Sequence, residues 1–271
     1  MAVLASVAAA FLLPGFSQVQ AGPRGGRVLR GTFPGELRPG LVYLPPGFST
    51  GRRYPVVYLL HGMPGSPSEY PAGTGFLDAA DEGIADGTLR PFVAAMPAAG
   101  PRDRYDGEWA GPWERSLVGE IVPWVDAHLP TEADAAGRTI GGLSAGGFGA
   151  VDIALRHPGL FGRVASWSGY FEPLRDGPFR HASPAALAAN DPVLLAPQAA
   201  PALRPAGTRF FLSTGPAHSH WFRPAQTVAF ARELHRLRIP VVLRRYAHER
   251  GVWRAQVGAA LRWAFGVNSS A

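Results

Sequence analysis

Apolar residues in this chain gather in short unbroken runs, separated by longer stretches in which they recur at helical spacing. Pro55-Val56-Val57-Tyr58-Leu59-Leu60 is too short for a helix and rich in β-branched side chains, which predicts a strand buried on both faces. Phe92-Val93-Ala94-Ala95-Met96 and residues 139–143, 163–168, 209–213 and 241–246 predict further strands. Upstream, residues 28–33 and 41–44 are each closed by Gly or Pro and predict an antiparallel entry hairpin. Helical spacing over 76–85, 113–128, 150–156, 224–238 and 252–265 fills the gaps, and His157-Pro158 stops the third of these helices. Strands alternating with helices imply the α/β class, a mostly parallel central sheet with helices on both faces. Residues 173–205 interrupt the alternation with a Pro- and Ala-rich excursion, expected to lie over the sheet end as a partial lid.

Length and composition narrow the picture. A chain of 271 residues with 46% hydrophobic and 17% charged residues fits one globular domain, and its 27 Pro and 34 Gly are spread along the whole length. The net charge of +6 would suit an anionic partner, but every basic residue is Arg. They stand singly or in pairs such as Arg52-Arg53 and Arg244-Arg245, with no basic run and no nucleic-acid motif, so no nucleic acid is expected as partner. Cysteine is absent, which excludes disulfides, thiolate zinc sites and a cysteine nucleophile. Residues 1–21 begin apolar and small and end in Val19-Gln20-Ala21, which suits a signal peptidase, although no Arg or Lys precedes the apolar run. Its end at Pro14-Gly15 leaves it short of the roughly 20 residues of a membrane span. Two parts are therefore expected: a signal-like or membrane-derived segment, 1–21, and a folded domain, 22–271, secreted or associated with the cell envelope.

The chemistry centres on Gly142-Leu143-Ser144-Ala145-Gly146. This Gly-x-Ser-x-Gly follows a predicted strand and opens a predicted helix, the context in which it forms a nucleophile elbow. The serine there sits on a sharp, strained turn that leaves no room for a Cβ on either flanking glycine. Its Oγ is presented at a helix N-terminus, where the Ala145 N–H can hold an oxyanion. The second donor is expected after the His61-Gly62 strand end, at the N–H of Met63. A phosphate-cradling loop is excluded, because the chain contains no Lys.

In such a sheet the catalytic partners follow in the order Ser, acid, His. His248 lies between the last strand and the last helix, so it is the expected base. His157 reads as a helix C-terminal cap and His61 as a structural residue at a strand end. The loop after residues 209–213 reads Gly215-Pro216-Ala217-His218-Ser219-His220 and offers no carboxylate. Glu172, beyond the preceding strand, is the expected acid, ahead of Asp176, Asp191 and Glu249. Asp106, Glu108, Trp109 and Trp113 form a polar and aromatic cluster that would either line a substrate pocket or pack as a loop over the sheet end.

With these residues the chain resembles the esterase D-like family of α/β-hydrolases, which takes in S-formylglutathione hydrolases, feruloyl and enterochelin esterases and secreted mycolyltransferases. The resemblance covers most of residues 40–265. It is carried by Tyr58-Leu59-Leu60-His61-Gly62, by the elbow extended through Gly147-Phe148-Gly149-Ala150, and by His157-Pro158-Gly159-Leu160-Phe161. His248 followed by Trp253, Leu261 and Trp263 also fits. The resemblance implies an α/β-hydrolase fold, with Ser144 and His248 catalytic and Met63 and Ala145 forming the oxyanion hole. It further implies a small-molecule ester or acyl substrate and neither metal nor cofactor. His218 stands where the family has its Asp or Glu. Ester hydrolysis through an acyl-enzyme is the leading expectation; acyl transfer of the mycolyltransferase type and a weakly catalytic binding or cell-surface protein are the alternatives.

Overall fold

The computed structural model describes residues 13–100, 108–216, 223–248 and 251–267. The chain begins with β1 (Phe16–Ala21), β2 (Arg27–Gly31), β3 (Gly40–Leu44) and β4 (Val56–Leu60). Next come α1 (Glu69–Ala72), α2 (Phe76–Ala85) and β5 (Val93–Met96), then α3 (Pro112–Ser116) and α4 (Val122–His128), joined by a π-helical turn, Leu117–Ile121. The second half runs β6 (Arg138–Leu143), α5 (Ala145–Arg156), β7 (Arg163–Trp167), α6 (Pro184–Ala188), α7 (Pro192–Leu203) and β8 (Arg209–Thr214). It ends with α8 (Pro224–Arg236), β9 (Val241–Arg245) and α9 (Val252–Phe265). Among the described residues the strands form one nine-stranded sheet in the order β1-β2-β3-β5-β4-β6-β7-β8-β9. The entry strands pair antiparallel and everything from β5 to β9 pairs parallel.

Both faces of the sheet are covered, as the apolar runs require. In β4 the side chains of Val56, Tyr58 and Leu60 enter the core beneath α4, α5, α7 and α8. Val57 and Leu59 point the other way, into the core beneath α1, α2 and α9. Alternation of successive side chains is thus satisfied by two apolar layers rather than by one layer and water.

Three elements differ from the expectation. Residues 16–21, grouped with the N-terminal segment 1–21, form the edge strand β1 against β2. Leu13 is buried, and Phe16 packs its ring 5.0 Å from Phe33 and 5.3 Å from Trp124, so this part of the segment packs against the core of the sheet. The helix expected over 113–128 is broken by its π-turn. Pro123 has no N–H to give to residue 119 and its ring crowds that carbonyl, which favours a widened turn just before it. The 173–205 excursion divides: α7 is a crossover helix with Ala196, Ala200 and Leu203 in the core, and Leu174, Phe179, Ala182 and Leu187 gather beside the elbow. No helix among the described residues is long and apolar enough to cross a membrane.

Candidate active site

At the C-terminal end of β6 the chain turns into α5 through Ser144, whose backbone stands at φ 52°, ψ −117°. A non-glycine residue there is strained, and the surroundings hold it. Ser144 N–H donates to the Trp167 carbonyl at 3.0 Å, and its own carbonyl accepts from Phe148 N–H at 3.0 Å. A Cβ at Gly146 would run into the Leu60 carbonyl, and one at Gly142 into the Gly146 backbone. The two glycines therefore let α5 start close against β4. Ala145 is the first residue of α5, so its N–H has no acceptor within the helix.

The loop after β4 lies over this turn. A Cβ at Gly62 would come within 3.5 Å of the Ser144 Cβ, which sets the Gly62-Met63 segment beside the nucleophile. Met63 packs against the small cluster that includes Ala145, Phe148 and Tyr170. His61 is buried: its Nδ1 lies 2.7 Å from the Gly62 carbonyl, its Nε2 accepts from Ala99 N–H at 3.0 Å, and burial pushes its pKa down to about 4. A neutral imidazole bonded on both sides is structural. Trp109, buried, donates its indole N–H to the His61 carbonyl at 3.0 Å and braces the same strand end.

His248 lies just past β9, exposed, at the same end of the sheet as Ser144. Register links them: Leu143, Trp167, Ser213 and Arg244 stand side by side across β6 to β9. Tyr246 N–H extends the pairing to the Thr214 carbonyl at 3.0 Å, and the Tyr246 hydroxyl donates to the Ala255 carbonyl at 3.2 Å, fastening the histidine loop at both ends. A cavity of about 620 Å³ opens between this loop and the one after β8, lined by Gly215, Pro216, Arg232, Arg245 and Tyr246 among others.

The candidate acids separate by environment. Glu172 is exposed and without a hydrogen bond or ion pair among the described residues, while Phe171 N–H beside it donates to the Gln226 side chain of α8 at 3.3 Å. Asp191 caps α7, accepting from Val193 and Leu194 N–H at 2.9 and 3.3 Å. Glu108 is fully buried and takes the Tyr170 hydroxyl. Burial pushes its carboxyl up to about 8, the Tyr170 hydroxyl pulling it down and the nearby Asp176 carboxyl pushing it up. Trp113 is partly buried against the core, so the cluster around Glu108 packs over the sheet end. His157 sits at the C-cap of α5, and its Nε2 pairs with Glu114 at 2.8 Å. Asp106, His218 and Glu249 lie outside the described residues. Glu69, which the sequence reading passed over, accepts from Gly62 N–H at 3.2 Å.

A strained serine on a strand-to-helix turn, under a strand-end loop and in a parallel sheet, is the arrangement of the α/β-hydrolase class. The chain belongs to the Putative esterase family, whose model matches residues 33–264. Over 142 residues it is 36% identical to Esterase Rv1288 of Mycobacterium tuberculosis (strain ATCC 25618 / H37Rv), a stretch covering 50% of this chain and 30% of that one. Over 144 residues it is 33% identical to an endo-1,4-beta-xylanase/feruloyl esterase of Xylanibacter ruminicola, covering 50% of this chain and 20% of that one. The matched stretch thus spans less than a third of the length of these curated relatives. Among solved structures it is similar to a ferulic acid esterase, with TM-score 0.74 and 22% identity over 89% of this chain and 97% of that one. It is also similar to an S-formylglutathione hydrolase from Agrobacterium tumefaciens, with TM-score 0.68 and 18% identity over 92% and 97%. At these identities the structural likeness speaks for the fold.

Proposed function

We propose that this protein hydrolyses small carboxylic esters through an acyl-enzyme on Ser144. The observation that carries the proposal is the elbow: Ser144 at positive φ, with Gly142 and Gly146 forced by the β4 backbone and the Gly62-Met63 loop alongside. Ser144 Oγ attacks the ester carbonyl carbon as His248 takes its proton, and the carbonyl oxygen becomes an oxyanion held by the N–H groups of Met63 and Ala145. Collapse breaks the bond to the alkoxy oxygen, which leaves as the alcohol with the proton from His248. Water, deprotonated by His248, then attacks the acyl-enzyme and releases the acid and Ser144. Glu172 is the proposed partner of His248. An alcohol taking the place of water would make the same site an acyltransferase.

The feruloyl esterase activity named for one relative makes aryl-acyl esters the first natural-type substrates to try. The small, apolar start of the chain supports secretion or attachment to the cell envelope. The test is time-resolved release of p-nitrophenol from acetate and butyrate esters by the wild type and by Ser144→Ala. Turnover abolished by the substitution is expected. Equal release by two folded proteins would sink the enzyme reading and favour a binding protein, for which the carboxylate-free loop from Gly215 to His220 would then be the explanation.

A further inference from the structure

From β4 to α1 the chain turns through Gly62, Met63, Pro64, Gly65 and Ser66, and the first residue of α1 lies inside that turn. Glu69 Oε2 accepts from Gly62 N–H at 3.2 Å, its Oε1 occupies the space a side chain at Gly65 would need, and its own N–H donates to the Ser66 carbonyl at 3.0 Å. Tyr70, fully buried, donates its hydroxyl to the Leu60 carbonyl at 2.6 Å and ties the end of β4 to the same helix. The other side of Gly62 faces the Ser144 Cβ. Met63, whose N–H is the proposed second oxyanion donor, is therefore flanked by a residue bonded to Glu69 and in contact with the nucleophile's turn.

We propose that Glu69 is a positioning residue whose carboxylate fixes the oxyanion loop through Gly62; the proposal rests on the reading of Met63 as an oxyanion donor. Glu69 is partly buried, forms no ion pair among the described residues and belongs to a helix of only four residues, so neither a salt bridge nor a long helix dipole accounts for it. Burial pushes its carboxyl pKa up, and the Gly62 and Ser66 amides pull it back toward the charged form. A carboxylate on the amide of Gly62 orients the peptide plane that precedes Met63, and with it the direction of the next N–H. Misdirecting an oxyanion donor weakens the transition state and leaves ground-state binding unchanged.

Glu69→Ala and Glu69→Gln separate this role from a merely structural one, since Gln keeps an oxygen for Gly62 N–H. In p-nitrophenyl acetate hydrolysis Glu69→Ala is expected to lower kcat by about tenfold to a hundredfold with KM nearly unchanged, and Glu69→Gln to restore most of it. Hydrogen exchange at the Gly62 amide should quicken in the Ala variant and stay near the wild-type rate in the Gln variant. Unchanged kcat in Glu69→Ala, an equal loss in both variants, or a Gly62 amide no less protected in the Ala variant would overturn the proposal. Ser144→Ala run alongside keeps the two readings apart. Turnover that survives it brings down the serine esterase and the oxyanion role together, whereas a Ser144-dependent activity indifferent to Glu69 removes only the role of Glu69.

Discussion

Glu172 leaves its carboxylate in solvent, yet the backbone that carries it is held across the sheet end. Ser168 N–H donates to the Ser213 carbonyl at 2.7 Å and Phe171 N–H reaches Gln226 at the start of α8, so residues 168–172 run over the end of β8. An acid that orients a histidine holds the required tautomer and supports the imidazolium, and its amide cannot do the second. Glu172→Gln is expected to lower kcat for p-nitrophenyl butyrate by at least about a hundredfold with the fold intact. Wild-type turnover in that variant would assign the acid elsewhere. Ser144, Gly142 and Gly146 were legible in the sequence because steric need at the elbow leaves a fixed spacing of small residues. His61 was legible as structural from its strand-end position. Glu69 was not, because its partner lies across a turn of irregular backbone that no periodicity encodes. Nor was the Tyr170 hydroxyl on Glu108, a contact between residues far apart in the chain.

At the scale of elements, the parallel strands were legible because burial on both faces forces continuous apolar runs, and β4 through β8 follow them, while the edge strand β9 keeps only Val241, Val242 and Leu243 of such a run. Two elements, α7 and β1, were less legible. In α7, Ala196, Ala199, Ala200 and Leu203 recur at helical spacing toward the core, while Pro197 and Pro201 in the same helix suggest a loop. Asp191 as N-cap and Pro192 at the first helical position were the readable signals. In β1, Ser17, Gln18, Val19 and Gln20 are exposed and only Phe16 is partly buried, so alternation is too weak to read as a strand. This bears on where the folded unit starts. A chain beginning at Leu13 keeps β1 and its aromatic contacts; one beginning at Gly22 loses them together with Leu13, whose full burial contributes about 1.5–3 kcal/mol. The thermal midpoint of the shorter chain is expected to fall by more than about 5 °C relative to the longer. Equal midpoints would mean that β1 adds no stability and that the unit folds from residue 22.

For the whole molecule, the consequence of covering both faces of a sheet is that some carboxyl groups are enclosed without an ion pair among the described residues. Asp152, on α5, is fully buried and among the described residues neither of its oxygens has a hydrogen-bond partner; Arg156, one turn further on, gives its Nε to Glu114 at 2.8 Å instead. Burial pushes Asp152 up to about 8, although the charge of Arg156 works against the shift, and Glu108 is likewise raised to about 8. Both carboxyls stay protonated in the folded protein across a range where the unfolded chain, with ordinary values near 4, has released the proton. Between about pH 4 and pH 8 the native state therefore binds more protons than the unfolded state, so stability from these groups is fully present below pH 4 and is lost as pH rises through 8. The formal charge of +6 and the other carboxylates add their own pH dependence, which a difference between two variants cancels. Asp152→Asn keeps the shape and cannot ionise. Its urea midpoint relative to the wild type is expected to be lowest near pH 5, to rise toward pH 8 and to level off beyond it, flattening the loss of stability across that range. A difference between the two proteins that stays constant from pH 5 to pH 9 would mean that Asp152 is already ionised in the fold, with a cation or water supplied to it from outside the contacts described.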